Sequence, residues 1–394
     1  MLNDLLILDL SRILAGPWAT QLLADLGARV IKIERPEKGD DTRAWGPPYR
    51  RTPDGKEAES AYYLATNRGK ESVTVDLGDP RGQEIVRRLV RDADVLVENF
   101  RAGRLTGYGL GYDDLAAANP GLIYCSITGF GQSGPLAGRS GYDAMIQAMG
   151  GLMSITGQPD GPPQKVGVAV SDLMTGMYAV AAILAAVNER HRTGRGRHLD
   201  VALFDCQLGW LANQAMNYFV GGDSPGRLGS AHPNIVPYQN FQCADGWLTI
   251  AIGTDSQFAA WCRGAGVPEW ADDGRFATNA ARVAHRTELI SRMEALIRDR
   301  DRAYWQSLCD DAGIPCGPVN TVAEAFDEPQ ALARGMVERW TFPDGGDVDA
   351  PANPLREARG STRPPALGEQ TRDVLEELGF SSSEIGALRS AGVV

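Results

Sequence analysis

The chain has 394 residues, and its 43% hydrophobic and 23% charged residues are typical of a globular protein. A net charge of −11 at pH 7 argues against nonspecific binding of nucleic acid, so we expect no nucleic-acid partner. No apolar run reaches the length of a membrane span and no basic leader precedes the first apolar run, so we expect a cytoplasmic protein without a membrane partner.

Strand-like and helix-like patterns alternate along the first half of the chain. Short apolar runs predict buried strands at 5–10, 28–34, 72–77, 95–100 and 122–128. Helices are predicted between them at 18–26 and at about 80–92, where Pro80 suits a first turn and the apolar residues share one face. This alternation predicts an α/β fold whose large domain is Rossmann-like and built on a parallel sheet.

The dinucleotide-binding fingerprint of such folds is missing where it should occur. The first strand-to-helix turn reads "LSRILAGP" and lacks GxGxxG. A match elsewhere, "GFGQSG" at 129–134, follows a strand but is followed by Pro135, and no helical pattern begins before about Tyr142. We therefore interpret this segment as a loop and expect no NAD site.

The second half of the chain indicates a smaller domain. A strand leads into a helix at about 205–219, and "GGDSPGRLGSAHPNIVPY" at 221–238 has the Gly, Pro and Ser content of a linker. Strands and helices alternate again over 240–320, and "EQTRDVLEELGF" predicts a final helix. The predicted organisation is a large domain at 1–220 that is completed by 330–394, and a smaller α/β domain with its linkers at 221–329.

Motifs for metal, phosphate and serine-nucleophile chemistry are missing from the sequence. The histidines have no metal-ligand spacing, the cysteines have no CxxC spacing, and neither a Walker A loop nor a GxSxG elbow occurs. The histidines are His191, His198, His232 and His285, and the cysteines are Cys125, Cys206, Cys243, Cys262, Cys309 and Cys316. We expect reduced thiols and no metal site, which leaves the carboxylates as candidates for chemistry.

One carboxylate has an unusual setting. In "KVGVAVSDLMTGMYAVAAILAAVNERHRTGRG", Asp172 lies between a strand-like run and a long apolar helix, with no Lys or Arg after it until Arg190. Asp is a preferred helix N-cap, so one interpretation is purely structural. The other is a nucleophile, because helix amides favour the ionised carboxylate, which can attack a carbonyl to form a covalent intermediate. The pattern alone leaves both interpretations open.

Several long motifs, in order, resemble the family III CoA-transferases of the formyl-CoA transferase and carnitine CoA-transferase type over nearly the whole chain. They include "LDLSRILAGPWATQLLADLGARVIKIERPEKGDDTR", "DVLVENFRAG", "SITGFGQSGPLAGRSGYDAMIQAMGGLMSITG" and "VGVAVSDLMTGMYA". The resemblance implies that Asp172 is the nucleophile, which passes CoA between acids through a mixed anhydride and an aspartyl-CoA thioester. It also implies that coenzyme A thioesters are substrates and that no prosthetic group is needed.

The resemblance implies CoA-binding positions, motif by motif. These are Leu14, Ala15, Arg35, Val75, Asp76, Asn99, Phe100, Arg139, Tyr142 and Asp143. Where the family has an Arg that contacts a CoA phosphate, this chain has Gly107, and we assign that contact to Arg104, about one helical turn earlier. Candidate substrate contacts in the small domain are Gly253, Gln257, His232 and Tyr238.

Two other classes are alternatives. A 2-methylacyl-CoA racemase or epimerase shares this fold but needs two acid–base groups on opposite faces of the α-carbon. Racemase relatives have His at the position of Tyr142, and Tyr is a poor base near neutral pH. The third class is a noncatalytic CoA-binding or scaffold protein, which the intact motif around Asp172 disfavours.

The resemblance implies an interlocked homodimer, in which each chain threads through a ring formed by the other. The linkers at 221–238 and about 341–365 are candidates for that ring. For the substrates we favour a succinyl-CoA-type donor and a small dicarboxylate acceptor. The residues do not exclude formate, oxalate, carnitine or an aryl acid.

Overall fold

The computed structural model describes residues 1–358, 360 and 362–394. The chain divides into two compact units. Unit 1 contains Met1–Leu152, Lys165–Met216 and Gln330–Val394, and unit 2 contains Met153–Gln164 and Asn217–Pro329.

The strands are short, and those of the main sheet are rich in Val and Ile, as expected of buried strands. Numbered in chain order, they are β1 (Leu6–Asp9), β2 (Arg29–Glu34), β3 (Tyr49–Arg51), β4 (Glu57–Ser60), β5 (Lys70–Thr74), β6 (Val95–Glu98), β7 (Ile123–Thr128), β8 (Arg197–Ala202), β9 (Tyr238–Cys243), β10 (Gly246–Ala251), β11 (Cys316–Pro318), β12 (Val337–Trp340) and β13 (Val348–Pro351).

The helices vary from one turn to more than six turns in length. Numbered in chain order, they are α1 (Ala15–Asp25), α2 (Ala61–Leu64), α3 (Pro80–Asp92), α4 (Tyr112–Ala116), α5 (Asp143–Met149), α6 (Leu152–Ile155), α7 (Val170–Thr193), α8 (Leu203–Gly209), α9 (Ala212–Gly221), α10 (Asp255–Gly264), α11 (Glu269–Asp272), α12 (Asn279–Ala284), α13 (Arg286–Ile297), α14 (Arg302–Asp311), α15 (Val322–Asp327), α16 (Pro329–Ala333), α17 (Thr371–Glu377) and α18 (Ser382–Ser390). Single turns of 3₁₀ helix occur at Asp41–Ala44, Thr106–Tyr108 and Arg356–Ala358.

Unit 1 is built on a parallel sheet with the strand order β5-β2-β1-β6-β7-β8. Strands β6 and β7 are buried along their whole length, as expected of parallel strands that are covered on both faces. Strands β2 and β5 lie on one side of β1, and the later strands β6, β7 and β8 lie on its other side. The loops that leave β1 and β6 therefore diverge, and a crevice opens beyond the carboxyl ends of these strands. The predicted Rossmann-like α/β fold is confirmed.

Helices cover both faces of the sheet. On one face, α1 and α7 share an apolar cluster with the sheet, to which Ala19 and Ile183 belong. On the other face, α3 packs with the C-terminal helices α17 and α18 in a second cluster that includes Leu89, Leu375 and Leu388. Burying one such Leu stabilises the fold by about 1.5–3 kcal/mol. The C-terminal segment thus belongs to the core of unit 1.

Unit 2 contains a small antiparallel sheet in the order β11-β10-β9. Its core includes Trp261 and Trp305, whose rings stack with centroids 5.9 Å apart. The buried Arg282 donates hydrogen bonds to the carbonyls of Val236 and Phe276. These bonds tie the segment before β9 to the helical layer of the unit.

Some predicted elements differ from the structure. The helix predicted at about 205–219 is two helices, α8 and α9, because the backbone turns at Ala212, whose φ is +49°. The hairpin of β3 and β4 was not predicted, since its strands are short and polar. Beyond the predicted final helix lies α18, which opens with a capping box between Ser381 and Glu384, a sequence signal that was overlooked.

Helix α7 is long and apolar enough, by length and composition alone, to cross a membrane. The prediction that no stretch is long enough for a membrane span is therefore wrong for α7, because Thr175 and Gly176 interrupt its apolar residues without making the helix polar as a whole. Of the most apolar 18-residue stretch of this helix, 44% is buried inside the fold. Core helices of globular proteins meet the same test, so one such helix is weak evidence for a membrane span.

Helix α7 packs closely against α1 at Gly176. A Cβ atom at this position would lie 2.8 Å from the carbonyl oxygen of Ala15 and 3.0 Å from the Trp18 ring. We expect Gly176→Ala to force the helices apart and to lower the free energy of unfolding by about 1–3 kcal/mol. Urea unfolding measures this. The control is Gly386→Ala in α18, where the space is open and stability should be unchanged or slightly higher; equal losses for both variants would refute the steric explanation.

Candidate active site

A cavity of about 160 Å³ lies in the crevice beyond β1 and β6. Its wall combines the loop after β1, the loop after β6, the segment 137–142 and the start of α7. Of the residues singled out in the sequence, it brings together Leu14, Ala15, Asn99, Phe100, Arg139, Tyr142 and Asp172. Segments far apart in the sequence therefore meet around one carboxylate.

A second cavity, of about 260 Å³, adjoins the first. Arg12 and Phe100 line both, so together they offer a path for an elongated ligand. The predicted nucleotide-binding residues in its wall are Arg35, Val75, Asp76, Phe100 and Arg104. The Arg104 guanidinium lies 4.9 Å from the centre of the Tyr108 ring, so it is held at the cavity wall, while Gly107 has open space around it.

Asp172 is the third residue of α7 and is partly buried. Burial raises the pKa of Asp172 to about 7, and the nearby negative charge of Asp143 adds to the rise. This differs from the sequence expectation that helix amides keep the group ionised, because removal from water outweighs them here. Among the described residues that line the cavity, Asp172 is the one carboxylate and there is no histidine.

The N-terminus of α7 is capped by a residue from another helix. The N-cap residue is Ala169, which has no side-chain cap, and the Asp143 carboxylate accepts a hydrogen bond of 2.8 Å from the Ser171 amide. The other Asp143 oxygen accepts 2.7 Å from Gln147, whose own carbonyl oxygen accepts 2.9 Å from the Val166 amide. The capping interpretation of Asp172 is therefore wrong. Asp143, which was expected to contact CoA, braces the segment that carries Asp172.

A second buried network supports the same turn. The Ser171 hydroxyl donates to the side-chain carbonyl of Gln207 at 2.7 Å, and the Thr175 hydroxyl donates to the Ser171 carbonyl at 2.6 Å. Gln207 is fully buried in α8. The first turn of α7 is thus fixed from two sides, which holds the Asp172 backbone while leaving its carboxylate at the cavity.

The loop after β1 is held by the side chain of Asn99 and by a buried ion pair. Asn99 lines the cavity, where its contact with CoA stays a prediction, and its side chain bonds to the backbone of Arg12 on both sides, accepting 2.9 Å from the amide and donating 2.6 Å to the carbonyl. Lys32 and Asp40, which pair beneath this loop at 2.9 Å, were missed. A lysine inside the otherwise apolar run "ARVIKIE" is the signal that could have revealed them, since lysine is rarely buried unless paired.

The remaining predicted residues lie in unit 2. The Gln257 side chain accepts from the Gly253 amide at 3.0 Å and completes the capping box of α10 with Thr254. The His232 ring stacks on the Tyr238 ring with centroids 5.3 Å apart. Over the described part of the chain, no group of three or more His, Cys, Asp or Glu side chains is arranged to hold a metal ion.

Another residue near the carboxylate was also missed. Burial, followed by the negative charge of Asp172, raises the pKa of Tyr62. Tyr62 belongs to the short helix α2 and packs edge-on against Trp45, with ring centroids 5.3 Å apart. No spacing in the sequence connects position 62 with position 172, so only the fold brings them within electrostatic range.

Comparison with known proteins gives one consistent result. The sequence model of CoA-transferase family III matches residues 2–371. The succinate–glutarate CoA-transferase of Agrobacterium fabrum is 49% identical over 381 residues, which cover 96% of this chain and 95% of that protein. The succinyl-CoA:glutarate CoA-transferase of Mus musculus is 44% identical over 398 residues, covering 100% of this chain and 90% of that protein. A crystal structure of a CAIB/BAIF family protein from Brucella suis is 50% identical, covers 95% of this chain and 98% of that one, and has a TM-score of 0.84.

The raised pKa of Asp172 predicts a pH-dependent difference in stability between the wild type and Asp172→Asn. The folded protein holds the Asp172 proton up to about pH 7, while the unfolded chain releases it near the ordinary value of 3.8. Wild-type stability should therefore fall, relative to the variant, as the pH rises from about 4 to about 7, and the difference should then level off. Thermal unfolding of both proteins across this range measures the difference. A difference that is independent of pH would contradict the raised pKa.

Proposed function

The chain belongs to CoA-transferase family III and is an enzyme that exchanges coenzyme A between carboxylic acids, and from this premise we propose that its donor is succinyl-CoA and its acceptor a dicarboxylate of glutarate size. The observation that carries the choice of substrates is the 49% identity, over nearly the whole length, to a protein named succinate–glutarate CoA-transferase. A second relative, named succinyl-CoA:glutarate CoA-transferase, is matched over all of this chain.

The proposed reaction proceeds through Asp172. Its carboxylate attacks the thioester carbonyl of the donor, and CoA thiolate leaves as a mixed anhydride forms. The thiolate then attacks the aspartyl carbonyl, which forms an aspartyl-CoA thioester and releases the donor acid. The acceptor carboxylate attacks this thioester in turn, and the same two steps run in reverse. One thioester replaces another, so the exchange needs no ATP, and we propose that it needs no prosthetic group.

The geometry around Asp172 supports this role. A nucleophile must be free of competing bonds, and the cap of α7 is supplied by Asp143 instead. A pKa of about 7 leaves part of the carboxylate ionised at neutral pH and makes it more basic than an exposed aspartate. The two adjoining cavities give an extended ligand such as CoA room on the same side of the sheet.

The same geometry disfavours a racemase. Proton exchange at an α-carbon needs a second acid–base group facing the first. Tyr142, at the position where racemase relatives have His, is 63% exposed, and the described lining of the cavity contains no histidine.

Covalent trapping tests the nucleophile and the donor together. Incubation with a panel of acyl-CoA donors, followed by hydroxylamine or borohydride and peptide mass spectrometry, should give a modification confined to Asp172, strongest with succinyl-CoA. Asp172→Asn should lose transfer by at least about a thousandfold while CoA binding is retained. The matched control is Asp205→Asn, an exposed carboxylate in the first turn of α8, which should keep its activity. Unchanged transfer activity in Asp172→Asn would refute the assignment of Asp172 as the nucleophile.

We also propose a homodimer, interlocked as the family resemblance implies. Exposed large apolar side chains of unit 1 support a covered surface, and they include Met149, Met177, Tyr178, Leu208 and Met216, which are 42–57% exposed. Light scattering at micromolar concentration should give twice the chain mass of 42.4 kDa. A single-chain mass at that concentration would refute the proposal.

A further inference from the structure

The loop between β1 and α1 contains a residue in an unfavourable backbone conformation. Ile13 has a φ of +74°, in the left-handed region that glycine adopts readily and β-branched residues rarely adopt. Such a conformation persists only when the surrounding structure imposes it. Arg12, Ile13 and Leu14 all line the cavity that contains Asp172, so the strained segment is part of the site wall.

Asn99 imposes that conformation from one side. Its carbonyl oxygen accepts from the Arg12 amide at 2.9 Å, and its amide nitrogen donates to the Arg12 carbonyl at 2.6 Å. Both polar atoms of the side chain are thus used on the residue directly before Ile13. Asn99 follows β6, the sheet neighbour of β1, so the clamp joins the two loops that diverge at the crevice.

A buried ion pair imposes it from the other side. The Asp40 carboxylate accepts from the Ile13 amide at 3.2 and 3.3 Å, and the Lys32 ammonium lies 2.9 Å from Asp40. The same ammonium donates to the Ser11 carbonyl at 2.9 Å. Both charged side chains are fully buried, so separating them would leave an unpaired charge inside the protein.

We infer that Asn99 is a positioning residue for coenzyme A binding, which acts by holding Ile13 in its left-handed conformation so that the loop is formed before the ligand arrives. The inference rests on the proposed function only in taking CoA as the ligand of this site. A loop that is ordered in advance does not lose conformational entropy on binding, so the affinity is higher than that of a loop that must be ordered each time.

The test separates loop positioning from direct contact. Asn99→Ala should raise the Kd for CoA, by calorimetry, and the KM for the acyl-CoA by about tenfold, because only a fraction of molecules then hold the competent loop. The kcat at saturation should change much less. Adding Ile13→Gly to Asn99→Ala should recover Kd to within about threefold of the wild type, because glycine adopts a positive φ without strain. The single Ile13→Gly variant is the reference for this double-mutant cycle.

Asn119→Ala is the matched control. The Asn119 amide nitrogen donates to the carbonyls of Val90 and Ala93 at 2.8 Å, and its oxygen accepts from the Gly121 amide at 3.1 Å. It is therefore a clamp of the same kind, at the opposite end of the parallel strands. We expect its loss to lower the melting temperature and leave Kd for CoA unchanged.

Three results would overturn the inference: an unchanged Kd in Asn99→Ala, no recovery in the double variant, or an equal rise in Kd for Asn119→Ala. If Asn99→Ala does not fold, Asn99→Asp replaces it, because it keeps the acceptor for the Arg12 amide and loses the donor to the Arg12 carbonyl. The comparison of Kd values for CoA does not depend on which acids are the substrates. A wild type that binds CoA but fails to transfer it from succinyl-CoA to glutarate would refute the proposed substrates and leave the loop inference testable.

Discussion

The active-site end of the sheet depends on one buried lysine. The Lys32 ammonium, in the middle of β2, lies 2.9 Å from Asp40 and 3.9 Å from Asp9, with all three side chains fully buried. Burial by itself would lower the pKa of Lys32, but Asp40 and Asp9 outweigh it and raise that pKa. Burial lowers the pKa of a second cation, Lys70, to about 8 in spite of Asp9, so Lys70 is the first member of the group to lose its charge as the pH rises. These charges must stay together, since an unpaired one inside the protein costs several kcal/mol, and their pairing fixes β1, β2 and the loop between β1 and α1 in one arrangement.

The start of α7 shows how the fold separates two roles that one aspartate could have had. A carboxylate that caps its own helix has its oxygens engaged and its pKa lowered, and both effects make it a poorer nucleophile. Here Asp143 takes the cap through the Ser171 amide, and its charge adds to the burial that raises the pKa of Asp172. Gln207 holds the same turn through the Ser171 hydroxyl. The helix therefore gains its N-terminal stabilisation from its neighbours, and the carboxylate at the cavity stays unbonded to the helix end.

Much of this arrangement could be predicted from pattern, and the failures have a common cause. The apolar runs located the strands of the parallel sheet, and the helix predicted at about 80–92 agrees with α3 at Pro80–Asp92. Asp172 was found because it is a lone carboxylate at the start of a long apolar helix, and the family resemblance implied its role as the nucleophile. Asn99 was found, but its bonds to the Arg12 backbone were not predicted, and Asp40 and Tyr62 were missed. The interactions that matter at the site join distant positions, Asn99 with Arg12, Asp40 with Ile13 and Tyr62 with Asp172, and local periodicity carries no information about such pairs.

The sequence by itself determined the fold class, the alternation of strands and helices, and the family, because hydrophobic periodicity and long ordered motifs are properties of the chain. Only the tertiary structure decided what each polar side chain bonds to. It decided that Asp143 and not Asp172 caps α7, that Asn99 grips the Arg12 backbone, and that Ile13 is held at a positive φ. The physical reason is that hydrogen bonds and ion pairs act over about 3 Å, and which groups come that close is fixed by how helices and strands pack, which no local stretch of sequence specifies.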